Sequence, residues 1–310
     1  MSSILVTGGC GNIGSYIVEE LLLSGINGKD IVVVDNLSNS NGKKFINENV
    51  TYHYIDISDY QSMRWVFQNN NIAQVYHQAS MLIQDSETLP NKAIQSNILG
   101  PWNIIQLCNE FNVKKVVFAS SASVHGEPIY LPVNEKHPIS TKDNFLYAIT
   151  KICMETLFSW KKVKFDWIGL RYYNVYSDRM NKGAFYTQVI KQFIVDIKNK
   201  GFVTIGGDGT QTMDFTHAKD IARANMLAMN SSISNEYFNT GTNIETSVND
   251  LAYMLFDIIG IDPVMKYNSI DVQKIKRRWG DVTKIKQELG WEFQIKLRDG
   301  LKMIIDSLEN

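Results

Sequence analysis

Cysteine is scarce in this chain: three residues, Cys10, Cys108 and Cys153, lie far apart among 310. An odd, scattered set offers neither a disulfide framework nor metal-ligand spacing, so no metal is expected. It suits a reducing compartment such as the cytoplasm. Long apolar runs are missing as well. None approaches the roughly 20 residues that cross a bilayer, so no membrane partner is expected. The first residues run straight into a predicted strand, without a charged-then-apolar leader. Net charge is nearly absent, with 31 Lys and Arg against 32 Asp and Glu. No global basic field marks a nucleic-acid binder, and no nucleic-acid partner is expected. Internal repeats and low-complexity segments are absent too. What remains is an ordinary globular composition, 44% hydrophobic and 20% charged, long enough for one large domain or two unequal ones.

The N-terminal half alternates strand and helix patterns. Strands are predicted at Ile4–Thr7, Ile31–Asp35, Val50–Asp56, Gln74–His77, Lys115–Ser120 and Asp166–Tyr172, with helices at Tyr60–Asn69, Ala93–Phe111 and Tyr147–Trp160. Such alternation gives a parallel sheet covered on both faces, and "IVVVD" and "VVFAS" are the continuous apolar runs of doubly buried strands. After about Asn174 the pattern turns irregular, with a helix near Ala184–Lys198, a turn cluster "GGDGTQ" and two amphipathic helices near the C-terminus. The expected fold is α/β: a Rossmann-type doubly wound parallel sheet over residues 1–173, rejoined by part of 217–240, with a smaller C-terminal α/β substrate-binding domain over 174–310.

In "ILVTGGCGNIGSYIVEELLLSG" a strand meets Gly8, Gly11 and Gly14 and becomes a helix. Glycines at this spacing let the backbone turn tightly and approach a pyrophosphate, which then faces the N–H groups and positive end of the helix. A dinucleotide site also needs an acid at the end of the next strand, about 20 residues on, for the ribose hydroxyls. "IVVVDN" supplies Asp35. Its carboxylate repels a 2′-phosphate, which favours NAD over NADP. Either feature alone is an ordinary turn or cap; together they point to nucleotide binding.

"TGGCGNIG", "VDNLSNS" and Asp56–Ile57 resemble the extended short-chain dehydrogenase/reductase superfamily, and within it the NAD-dependent nucleotide-sugar epimerases and dehydratases, UDP-glucose 4-epimerases included. The resemblance covers nearly the whole chain and takes in "VYHQAS" at 75–80 and "NILG" at 97–100. It implies NAD contacts from Asn12, Ile13, Asp35, Asn36, Ser38, Asp56, Ile57, Gln78, Ala79, Ser80 and Asn97.

"YAITK" places Tyr147 and Lys151 four apart, on one face if the segment is helical. Oxidising a sugar alcohol requires a base for the hydroxyl proton while hydride leaves carbon. A tyrosinate can serve, but free Tyr has a pKa of about 10. A nearby Lys⁺ and the positive nicotinamide ring are expected to lower it, which places both residues at the cofactor as well. "SSASVHG" follows the strand "VVFA". By resemblance Ser121 is the catalytic serine that orients the reacting oxygen, and Ser123 is a second candidate for contact with the sugar. Related dehydratases carry an Asp–Glu pair where this chain has Ala122 and Ser123, which argues against water elimination.

"GLRYYNVY" resembles the family's "LRYFNVYG", implying Tyr173 near nicotinamide, Asn174 near the substrate phosphates and a structural Arg171. "GGDGTQTMDFTHAKDIA" matches at Asp214, His217 and Asp220, the latter two as structural organisers. The chain departs from the family in three places. Met213 replaces an arginine that often binds the substrate diphosphate, His125 replaces a Tyr, and Leu82 stands where some galactose epimerases have a Lys. Arg277 or Arg278 is the candidate to compensate for Met213. The resemblance further implies a homodimer formed through Ala93–Phe111 and Tyr147–Trp160. The expected activity is C4 epimerisation of a UDP-hexose through a transient 4-keto sugar with tightly held NAD. The alternatives are a 4-ketoreductase or dehydrogenase with exchangeable NAD(P), and a non-catalytic binding protein on the same fold.

Overall fold

A computed structural model describes residues 2–38, 45–142, 145–180, 185–269 and 276–309. Apolar strands β1 (Ser3–Thr7), β2 (Ile31–Val34), β3 (Thr51–His53), β4 (Ile72–His77), β5 (Lys115–Ser121), β6 (Asp166–Tyr172) and β11 (Glu236–Thr240) form one seven-stranded sheet in the order β11-β6-β5-β4-β1-β2-β3. All six pairings are parallel. Parallel strands need crossovers, and the chain supplies helices for them: α1 (Gly14–Leu23), α2 (Tyr60–Asn69), α5 (Gly100–Glu110), α6 (Leu146–Phe158) and α8 (Ala218–Asn230).

The sheet is buried on both faces. α1 and α8 pack with Val6, Val33, Ile168 and Phe238 on one side. On the other, Leu5, Val34, Val75, Val116 and Phe118 meet residues of α2, α5 and α6. The sheet order reverses between β1 and β4, where both strands end beside each other, and this is where open α/β sheets bind ligands.

The predicted helix over 93–111 is interrupted. Short α3 (Ile83–Thr88) and α4 (Pro90–Ile94) precede a π-helical turn, Gln95–Leu99, and then α5. Gly100 N–H bonds Gln95 O, and Pro101, with no N–H of its own, follows at the start of α5. The remaining elements are β7 (Asn174–Tyr176), α7 (Phe185–Lys200), β8 (Val203–Gly206), β9 (Thr212–Met213), β10 (Phe215–His217), β12 (Thr246–Ser247), α9 (Val248–Ile259), β13 (Met265–Asn268), β14 (Arg277–Arg278), α10 (Thr283–Leu289) and α11 (Leu297–Glu309). α7, α9 and α11 enclose a third apolar core with Met213, Phe215 and Tyr176. From the later part of the chain, α8 packs on the α1 face and β11 pairs with β6.

Candidate active site

The glycine loop lies between the end of β1 and α1. Gly8 has φ +68° and packs so closely on Ala79 that a Cβ would sit 2.7 Å from its N. A Cβ on Gly14 would lie 2.1 Å from Gly8 O, so this glycine lets the helix start directly against the loop. Gly11 N–H closes the turn onto Gly8 O at 3.0 Å. α1 has no capping side chain and no acidic residue in its first turn, whereas α2 is capped by Asp59 and α9 by Ser247. An uncapped helix start behind a glycine turn fits a dinucleotide's pyrophosphate.

Around this loop the structure gathers the expected cofactor residues. Asp35 accepts the N–H of Cys10 and of Leu37, each at 2.9 Å, which ties the ribose-side acid to the glycine loop. Burial raises its pKa. Asn36 donates to Asp56 Oδ2 at 2.9 Å and accepts from Ser38 N–H at 3.0 Å. Ile57 packs against Gly100. Asn12 Oδ1 accepts the Ser177 hydroxyl at 2.5 Å, linking the loop to the chain after β7. Ile13 is the residue that starts α1.

Gln78 and Asn97 have their side chains occupied within the protein. Gln78 donates to Asn225 Oδ1 at 3.0 Å and accepts the Tyr172 hydroxyl at 3.0 Å. Asn97, buried in the π-helical turn, spans Met81 N and O at 2.7 and 3.0 Å and reaches Ser80 and Thr150 at 3.2 Å. It therefore fastens the Ser80–Met81 segment to α6. The sequence pattern marked Asn97 but not this bracing role, which depends on the π turn.

Ser121, Tyr147 and Lys151 come together at the end of β5. Lys151 follows Tyr147 by one turn of α6, and its Nζ lies 5.5 Å from the centre of the Tyr147 ring. That nitrogen is buried and donates to Ala119 O at 2.8 Å. Ser121 caps the short turn after β5, accepting Ser123 N–H at 3.2 Å and the Ser123 hydroxyl at 2.9 Å. The Ser121 hydroxyl also acts on the Tyr147 phenol in the sense that favours its ionised form.

Burial nevertheless dominates both titrating groups. It pushes Tyr147 up to about 12, against the Ser121 hydroxyl and the positive charge of Arg278. It pulls Lys151 down to about 7, against the negative charge of Glu155. In the protein alone, the influences that oppose burial at Tyr147 are Ser121 and Arg278.

The structure separates the two candidate arginines. Arg277 is exposed, forms a two-point pair with Glu245 at 2.7 and 2.9 Å and stacks over Trp279 at 4.9 Å. Arg278 lies opposite Met213 in the β14–β9 register, and its charge acts on Tyr147, Tyr173 and His125. Tyr173 lies against Gly280 and Gly241, and its buried hydroxyl has no hydrogen-bond partner among the described residues. Tyr172, which the sequence pattern did not single out, is the tyrosine bonded to Gln78.

Asn174 is tied to Asp214 O through its N–H at 3.0 Å and its side chain at 3.3 Å. The Asp214 carboxylate accepts Thr242 N–H, the Thr242 hydroxyl and Asn243 N–H at 2.7, 2.6 and 3.0 Å. Burial still raises it to about 6. His217 caps α8, while Asp220 accepts Gln294 and Ile295 N–H, so both organise structure. His125 is buried edge-on against His137 at 5.0 Å, and burial lowers its pKa to about 3.

Comparison with known proteins agrees with this geometry. Residues 4–241 match the NAD dependent epimerase/dehydratase family. A Methanocaldococcus jannaschii protein provisionally named a UDP-glucose 4-epimerase is 35% identical, over 99% of this chain and 98% of its own. The crystal structure of Thermotoga maritima UDP-glucose 4-epimerase with UDP-glucose superposes with a TM-score of 0.91 at 31% identity, covering 99% of this chain and 98% of that one. Thermus thermophilus UDP-glucose 4-epimerase in complex with NAD gives 0.87 at 26% identity, covering 99% of each chain. The family match spans more than half of the 310 residues, and this chain belongs to the NAD dependent epimerase/dehydratase family.

Proposed function

We propose that the protein is a nucleotide-sugar epimerase that inverts C4 of a UDP-hexose through a transient 4-keto sugar. The observation that carries the reading is the joining of Ser121, Tyr147 and Lys151 at the end of β5, with Asn97 bracing α6 against the cofactor-side segment Ser80–Met81. Gly8, Gly11, Asn12, Ile13 and Gly14 hold the pyrophosphate of NAD, and Asp35 holds its adenosine ribose. Bound NAD supplies the hydride acceptor and, later in the same turnover, the donor.

Tyr147 takes the proton of the sugar hydroxyl and later returns it. Ser121, itself oriented by Ser123, holds the reacting oxygen. Arg278 neutralises the substrate diphosphate in place of the absent arginine at Met213, and Asn174 contributes beside it. Tyr173, packed among Gly280, Gly241 and Asp214, is the tyrosine placed near nicotinamide, while the neighbouring Tyr172 bonds Gln78. Ala122 and Ser123 provide no acid–base pair for eliminating water.

The chain divides near residue 173 into a cofactor lobe, rejoined by part of 217–240, and a smaller substrate lobe. Leu89, Ile94, Leu99, Ile149 and Trp160 leave apolar surface exposed on and beside α4–α5 and α6. A homodimer pairing these helices across a two-fold axis covers it. The scattered cysteines suit a cytoplasmic setting.

The test is turnover of UDP-glucose, UDP-galactose and their N-acetyl and uronate forms by purified protein without added NAD, followed by NMR of the sugar. Inversion at C4 supports the proposal. Stoichiometric NADH consumption supports the reductase alternative. Absence of any turnover, with thermal stabilisation by UDP-sugars retained, supports the binding-protein alternative.

A further inference from the structure

Behind the catalytic residues lies a buried ion pair that the reaction scheme leaves unused. Glu155, one turn after Lys151 on α6, is buried. Its Oε1 accepts the Ser120 hydroxyl at 2.5 Å and Arg171 Nε at 2.9 Å, and its Oε2 accepts Arg171 Nη2 at 2.8 Å. Arg171 is equally buried, sits over the Tyr237 ring at 4.7 Å and donates to Glu135 O at 3.4 Å. Tyr237 in turn donates to the Glu155 main-chain carbonyl at 2.8 Å. One carboxylate thus joins β5 at the residue before Ser121, α6 one turn beyond Lys151, and β6 just before Tyr172.

A well-packed apolar pair commonly matches or exceeds a buried ion pair in stability, so stability alone does not account for this one. Its placement relative to Lys151 does. Among the described residues the ammonium has one hydrogen-bond acceptor, Ala119 O. The groups facing it are Tyr147 and Glu155 from α6 and His77 from β4. His77 is fully buried, bonds Thr7 through Nδ1 at 2.7 Å, and is held neutral by burial and by the lysine's charge. Glu155 is therefore the negative group facing Lys151, and Arg171, Ser120 and Tyr237 keep it in place.

We propose that Glu155 is a positioning residue that keeps the Lys151 ammonium charged beside Tyr147. This rests on Lys151 being the cation of the proposed reaction, and the electrostatic test does not depend on turnover. In protein freed of nucleotide and carrying ¹³Cε-lysine, with Lys151→Met identifying the signal, the wild-type Lys151 resonance should remain that of the ammonium at pH 6. Glu155→Gln should move its titration down by about one pH unit or more, and Glu155→Asp should restore it. In turnover, the alkaline limb of the kcat profile should move to lower pH in Glu155→Gln, whereas loss of packing would lower kcat evenly.

Should Glu155→Gln leave Arg171 uncompensated and unfold the chain, the paired change Glu155→Leu with Arg171→Met removes both charges and should show the same downward titration. A Lys151 signal already neutral at pH 6 in the wild type overturns the proposal. So does an unmoved titration in a folded variant, and so does failure of both variants to fold, because it makes the pair structural. A shifted titration in a protein without epimerase activity would keep this inference and reject the reaction.

Discussion

At the residue scale the site is a set of hydroxyls around a buried lysine at the end of β5. If Tyr147 carries the reaction's proton as proposed, Tyr147→Phe should lower kcat by roughly 10²–10⁴ while nucleotide content and thermal midpoint stay near wild type. Retained activity would transfer the proton step elsewhere. Lys151 has the opposite relation to stability. Its pKa falls from 10.5 to about 7 on folding, so between these values the unfolded chain binds more protons than the folded one. Stability contributed by this group rises with pH across that window, and the full cost of burying the ammonium is present below about 7. In nucleotide-free protein, Lys151→Met should raise the thermal midpoint most at pH 6, with the gain shrinking toward pH 10, while turnover is lost. A gain independent of pH would contradict a buried charge at this position. The glycines, Asp35 and the Tyr–Lys pair were legible from sequence because each is a short-range pattern of one turn or one helix face. Glu155 sat in the same run, four residues after Lys151, and a second charge on the inner face of an apolar helix was the signal available for it.

At the element scale, local pattern located the strands and helices but not their partners. "IVVV", "VVFAS" and "WIGLRY" are strands because continuous apolar runs can be buried on both faces. The one long helix expected at 93–111 was legible as apolar periodicity, yet the π turn before Pro101 changes which side of it Asn97 occupies. The two arginines were indistinguishable in "KRRWGD", since adjacent residues on a strand point to opposite sides. Pairing of β14 with β9 sets Arg278 opposite Met213, while Arg277 pairs with Glu245; the proposed diphosphate contact therefore falls to Arg278. Arg278→Leu should raise KM for the UDP-sugar about tenfold to a hundredfold, as expected for losing charge-assisted bonds of about 1.5–3 kcal/mol. Arg277→Leu should change KM by less than about twofold, because an exposed pair contributes about 0–1 kcal/mol. The reverse order of effects would assign the diphosphate to Arg277.

At the scale of the whole molecule, the sheet order reverses between β1 and β4, and the chain after β7 reaches the glycine loop through Ser177 and Asn12; the proposed cofactor and substrate sides meet there. The proposed dimer belongs here. Sedimentation should give twice the mass of one chain, and Ile94→Glu together with Ile149→Glu should give monomers by placing charges on the apolar surface of both helices. A wild-type monomer at micromolar concentration would remove the dimer.

The sequence by itself determined the glycine turn between β1 and α1, the acid after β2 and the Tyr–Lys face of α6, because backbone sterics and helical periodicity act over a few residues. Only the tertiary structure decided which arginine pairs with Glu245 and which lies opposite Met213, what Asn97 and Gln78 bond, and that Glu155 and Arg171 stand behind the lysine. Those choices depend on strand register and burial among segments far apart in the chain, where charge and hydrogen bonding act through space rather than along it.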